Sequence, residues 1–183
     1  MEQLEIRVSG FGGQGIILAG FIIGKAASIF DGKEATMAQA YGPEARGSAC
    51  SSQVIISDAA IYFPYVTEPA LLVAMSQEAY DKFVGEVKPG GMVLIDETLV
   101  KTGALPEGTL LYTIPATRIA EELGRKIVAN IVMLGFFAAC SGVVGPEAMR
   151  SAVADSVPAA AVELNMTAFD RGYEHGEKQV KPQ

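Results

Sequence analysis

The stretch Gly10-Phe11-Gly12-Gly13-Gln14-Gly15 decides the reading of this chain, through the two segments that flank it. Before it, Leu4-Glu5-Ile6-Arg7-Val8 alternates apolar and charged residues, the period of a short strand. After it, Ile16 to Phe30 is almost continuously apolar, too long for a strand and long enough for a buried helix. Gly20 and Gly24 fall on one face of that helix, where they let it approach a sheet closely. Asp31-Gly32-Lys33 ends it.

The same alternation continues along the chain. Glu34 to Gln39 and Ser52 to Ser57 read as strands. Leu71 to Met75 reads as a strand buried on both faces, the pattern of a parallel sheet. Ser76 caps a helix to about Glu86, with Glu78 in the first turn where the helix dipole favours a carboxylate. Met92 to Ile95 and Leu110 to Ile114 are further strands, and Thr117 to Lys126 is another capped helix. Three helices close the chain: Ile131 to Ser141, Pro146 to Ser156 and Pro158 to Gly172, the second opened by Gly145-Pro146. This order predicts one three-layer α/β/α domain over residues 1–183, Rossmann-like, with a mostly parallel but mixed sheet and a frayed tail from residue 177.

Composition sets limits on function. Of 183 residues, 50% are hydrophobic and 19% charged, so the chain is globular and large enough for one core without a staple. The balance of 14 Lys+Arg against 21 Asp+Glu leaves a net charge of −7, which disfavours nucleic acid as a partner. Mean hydropathy is positive, which fits a subunit that covers apolar surface against partners and fits a large core nearly as well. Cys50 and Cys140, 90 residues apart, form no metal or cluster motif and read as small buried groups. The N-terminus has no secretory pattern. The apolar stretch Ile131 to Cys140 is far short of the ~20 residues that span a bilayer. A cytoplasmic protein is expected.

Two loops carry the functional signal. The first satisfies G-x-G-x-x-G between a strand and a helix, where backbone N–H groups can meet a phosphate. Asp31 lies near the distance at which a dinucleotide-binding acid would hold a ribose. It stands in a turn at a helix end, however, and Gly13 beside Gly12, followed by Gln14, departs from the usual pattern. The glycines could equally serve to pack helix on strand. The second loop, Tyr41-Gly42-Pro43-Glu44-Ala45-Arg46-Gly47-Ser48-Ala49-Cys50, joins two strands but is too long for a hairpin turn. Arg46 could grip a phosphate or carboxylate, or simply pair with Glu44, and Gly47 implies close backbone approach. The only histidine, His175, lies near the tail, no P-loop lysine follows the glycines, and Asp96-Glu97 could form a carboxylate pair but reads more simply as a solvated strand end. No catalytic or metal-ligating set is visible.

Together the two loops resemble those of the gamma subunit of the 2-oxoacid:ferredoxin oxidoreductases. The family's G-x-G-G-Q-G corresponds to Gly10, Gly12, Gly13, Gln14 and Gly15. Its Y-x-P-E-x-R-G-G is similar to Tyr41, Pro43, Glu44, Arg46 and Gly47, with Ser48 in place of the second glycine. The helix between the loops and Val73 to Gln77 also fit, and the resemblance spans residues 4–172. It implies a relative of domain III of the single-chain pyruvate enzymes, in a complex that converts a 2-oxoacid and coenzyme A to acyl-CoA, carbon dioxide and reduced ferredoxin. Coenzyme A would lie at the subunit junction, against the residues of the two loops. Thiamine diphosphate, magnesium and [4Fe-4S] clusters would be held by alpha, beta and delta partners. Ferredoxin would be met through the complex. The isolated chain would be inactive and prone to self-association. The alternatives are an NAD(P)-binding module and the small subunit of indolepyruvate oxidoreductase.

Overall fold

A computed structural model describes residues 3–41 and 49–180 of the chain. Six strands form one sheet: β1 (Leu4–Phe11), β2 (Glu34–Tyr41), β3 (Ala49–Ser57), β4 (Leu71–Ala74), β5 (Met92–Asp96) and β6 (Leu110–Ile114), in the order β2-β3-β1-β4-β5-β6. β1, β4, β5 and β6 run parallel, while β3 lies antiparallel between β1 and β2. Every strand but β3 therefore points the same way, the mostly parallel mixed sheet the sequence predicts.

Side chains alternate across this sheet and fill two cores of unequal size. Ile6, Val8, Leu71, Val73, Leu94 and Ile114 meet α1 (Ile16–Lys25), α3 (Ala116–Glu122), α4 (Ala129–Ser141), α5 (Pro146–Ala154) and α6 (Val162–Val180). Leu72, Ala74, Val93 and Ile95 face the other way, onto Tyr80 and Phe83 of α2 (Gln77–Phe83). The central strands are thus buried on both faces, as helix-covered parallel strands must be. α4 is buried almost all round, and Gly135 and Gly172 let it seat on α6, because a Cβ at either would overlap the other helix's backbone. No described helix is long and apolar enough to cross a membrane.

Five details depart from the sequence reading. The run from Ile16 to Phe30 is α1 followed by a wider π-helical turn over Ala26–Phe30, closed by Asp31 N–H donating to Ala26 O at 3.0 Å. β2 and β3 pair directly, from Glu34↔Ser57 to Tyr41↔Cys50, so the long second loop joins antiparallel neighbours after all. Pairing is set by the faces the two strands bury, and a seven-residue connection does not prevent it. α6 continues to Val180, past the expected fraying at 177, because the Gln179 amide donates to Thr113 O at 2.6 Å. Thr117 lies inside α3 and does not cap it. Finally, Asp96 is fully buried where a solvated strand end was expected. Ser76 does cap α2, its Oγ accepting from Ala79 N at 3.2 Å, and both cysteines are buried and free.

Candidate functional site

β1 hands the chain to α1 on one face of the sheet, and β4 hands it to α2 on the other. Where neighbouring strands send their connections to opposite faces, a crevice opens at their C-terminal ends, and α/β proteins place ligands there. A cleft of about 280 Å³ occupies this position. It is lined by Gly13 and Gln14 of the glycine loop, by Met75 after β4, by Thr117 of α3, and by Lys126, Ile127 and Ala129.

The glycines of the loop have separate reasons. Gly15 is the N-cap of α1 at φ 73°, and a Cβ there would run into Asn130, whose Nδ2 donates to Gly15 O at 3.3 Å. Gly13 has φ 94°, a backbone state that favours glycine. Gly10 has no room for a Cβ, which would stand 2.5 Å from Gln14 Oε1 and 2.8 Å from Ile16 Cδ1. Among the described residues, Gly12 is required by neither conformation nor packing: a Cβ there meets none of their atoms within 4 Å. Gln14 spends its side chain on the backbone, with Oε1 accepting from Phe11 N at 2.6 Å and Nε2 donating to Met75 O at 2.8 Å.

The second motif starts from the same place. Cys50 stands opposite Gly10 in the β1–β3 pairing and opposite Tyr41 in the β2–β3 pairing, so the segment bearing the second motif leaves and re-enters the sheet beside the glycine loop. Pro43, Glu44, Arg46 and Gly47, and the side chain of Tyr41, lie outside the described residues.

Sequence reasoning missed the far side of the crevice. Asp96, at the end of β5, receives Thr117 N at 2.9 Å and Thr117 Oγ1 at 2.6 Å on Oδ2, and Thr98 N at 3.0 Å on Oδ1. This buried carboxylate holds the first turn of α3 over the sheet, so it works as a support and not as an exposed acid. Lys126 and Ile127, in a 3₁₀ turn over Lys126–Val128, project with 68% and 63% exposure, Lys126 pairing with Glu121 at 3.4 Å. No local pattern joins Asp96 to Thr117, 21 residues on, and no local motif marks Lys126 or Ile127.

Other surfaces lack this convergence. A groove of about 410 Å³ between α1 and β2 is larger but apolar, with Phe21, Ile29 and Met37 among its walls. His175 stands edge-on to Phe136 at 5.8 Å, in a shallow groove with Arg118, Arg171 and Lys178, away from the crevice. Asp31 does not face a ribose position: its Oδ2 accepts from Gly145 N at 2.8 Å, at the start of α5. No group of three histidine, cysteine, aspartate or glutamate side chains suited to a metal occurs among the described residues. Burial pushes the Cys140 thiol up to about 12 and raises that of Cys50, so neither offers a ready thiolate.

Comparison with known proteins agrees with this fold. Residues 5–175 match the family described as pyruvate ferredoxin/flavodoxin oxidoreductase. The chain is 55% identical over 172 residues to the 2-oxoglutarate synthase subunit KorC of Methanocaldococcus jannaschii, covering 93% of this chain and 92% of that one. The keto/oxoacid ferredoxin oxidoreductase gamma subunit from Geobacter sulfurreducens superposes with a TM-score of 0.83 at 47% identity, over 94% of this chain and 98% of the other. The 2-oxoglutarate:ferredoxin oxidoreductase from Magnetococcus marinus, solved with 2-oxoglutarate, coenzyme A and succinyl-CoA bound, superposes with a TM-score of 0.89 at 26% identity. There the whole of this chain matches 32% of a longer one.

Proposed function

The chain belongs to the pyruvate ferredoxin/flavodoxin oxidoreductase family, and on that premise we propose that it is the gamma subunit of a 2-oxoacid:ferredoxin oxidoreductase with 2-oxoglutarate as substrate. The complex takes the 2-oxoacid and coenzyme A to acyl-CoA and carbon dioxide, passing two electrons to ferredoxin. The observation that carries this reading is similarity along almost the full length of both chains to a 2-oxoglutarate synthase subunit.

Within the complex, this chain supplies binding and no proton transfer. Coenzyme A docks at the crevice, its phosphates against the donor-rich loop at the N-terminus of α1, with Lys126 of the cleft lining and Arg46 of the second motif as the cations. The absence of any described residue against a Cβ at Gly12 supports a ligand or partner that comes close to bare backbone there. The crevice is far too small for the whole cofactor, so partners complete the site. Thiamine diphosphate, magnesium and the [4Fe-4S] clusters belong to the alpha, beta and delta subunits. The described residues of this chain do not fit them, since its two cysteines are buried on separate elements and no three ligands converge. The assembly is cytoplasmic. Alone, the chain self-associates through exposed apolar side chains such as Phe21 and Ile29.

The test is to co-purify the complex from the native host and rebuild it with and without this chain. Succinyl-CoA formation from 2-oxoglutarate that depends on the chain is expected, with Arg46→Ala raising the KM for coenzyme A or weakening assembly. Full activity without the chain, or saturable micromolar NADH binding by the chain alone, would overturn the reading.

A further inference from the structure

The carboxamide of Gln14 sits in the β-sheet as though it were an inserted peptide unit. β1 and β4 pair in parallel from Ile6↔Leu71 to Ser9↔Ala74, and the next pair in register is Gly10 with Met75. Half of that pair is made, since Met75 N donates to Ser9 O at 2.9 Å. In an unbroken parallel ladder, the other half would be Phe11 N donating to Met75 O. Here the Gln14 amide stands between those two atoms. Phe11 N donates to Gln14 Oε1, and Gln14 Nε2 donates in turn to Met75 O, so the polarity of the ladder is kept while the strands are held apart.

From this we infer that Gln14 is a positioning residue that opens the crevice by wedging β1 from β4. Glutamine presents an acceptor and a donor at the end of an open chain on one planar amide, the same pair of groups as the peptide unit it replaces. Asparagine is one methylene shorter, and glutamate at neutral pH cannot donate. The room for the wedge comes from Gly10, where a Cβ would stand 2.5 Å from the amide oxygen. Gly10 and Gln14 are thus two halves of one device, which explains an amide at a position that an apolar residue usually fills. The consequence falls on the Gly12–Gly13 turn, whose placement over the cleft depends on the splayed strand ends. The effect on coenzyme A rests on the function proposed above; the wedge itself does not.

The test has a structural and a kinetic arm. In a crystal structure of the full chain with Gln14→Ala, Phe11 N is expected to close onto Met75 O at about 2.9 Å, an ordinary hydrogen bond. If that variant does not fold, Gln14→Glu serves in its place. The Phe11 amide resonance of Gln14→Glu should be displaced from that of the natural chain at pH 8 and return towards it as the pH falls through the midpoint of the introduced carboxyl, followed by that side chain's own resonance, because a neutral carboxyl can both donate and accept as the amide does. In the rebuilt complex, Gln14→Ala should raise the KM for coenzyme A about tenfold or more and leave kcat at saturating coenzyme A within about twofold. Strand ends that stay apart in Gln14→Ala, or a Phe11 resonance unmoved by pH in Gln14→Glu, would overturn the wedge. Closure of the ladder with an unchanged KM would support the wedge and instead overturn the placement of coenzyme A in the crevice.

Discussion

Asp96 holds Thr117 twice through one oxygen, accepting from the backbone N–H at 2.9 Å and from the hydroxyl at 2.6 Å. The carboxylate is fully buried, and its other oxygen accepts from Thr98 N. Asp96→Asn turns part of this acceptor into a donor that faces other donors. A loss of about 2–3 kcal/mol is expected, measured as a lower urea midpoint with an unchanged slope.

Gly12 and Gly15 should part company under the same substitution. Gly15→Ala forces a side chain into left-handed backbone and into Asn130, and a loss of about 3 kcal/mol in thermal or urea unfolding is expected. Gly12→Ala meets no described residue and should leave the stability of the isolated chain within about 0.5 kcal/mol. Its effect should show only in the assembled complex, as weaker coenzyme A binding or weaker subunit association by size-exclusion chromatography.

The α4–α6 seam predicts a sharper failure. A Cβ at Gly135 overlaps Phe169 O, and one at Gly172 overlaps Val132 O, so neither helix can yield without breaking its own backbone packing. Gly135→Ala is expected to cost about 4 kcal/mol or more and to lower the yield of soluble protein, followed by circular dichroism melting.

The thiols give a prediction in pH. Cys140 is raised by burial from 9.0 to about 12, and Cys50 is raised in the same direction. A thiol raised on folding contributes stability that is fully present below its unfolded value and is lost as pH climbs through its folded value. Stability should therefore be insensitive to Cys140 below about pH 8 and fall between 9.0 and about 12, with Cys140→Ala flattening that fall. At pH 8, a colourimetric disulfide reagent should find neither cysteine in the native chain and both in denaturant.

The local code of this sequence was enough for its architecture and for the place of its glycine loop between β1 and α1. Alternation in Leu4 to Val8, the apolar run of Leu71 to Met75 and the cap at Ser76 are signals that neighbours along the chain supply, and β1, β4 and α2 stand where those signals put them. The two glycine-bearing motifs also named the family before any contact was known. Tertiary structure alone decided what the motif residues do. Gln14 is a wedge because Met75, 61 residues away, offers its carbonyl, and Asp96 is buried because α3 folds its first turn onto it. Lys126 and Ile127 reach the crevice because α3 and α4 return over the end of the sheet. A hydrogen bond to a distant backbone atom leaves no pattern in the residues beside it, since its geometry exists only after the strands have paired.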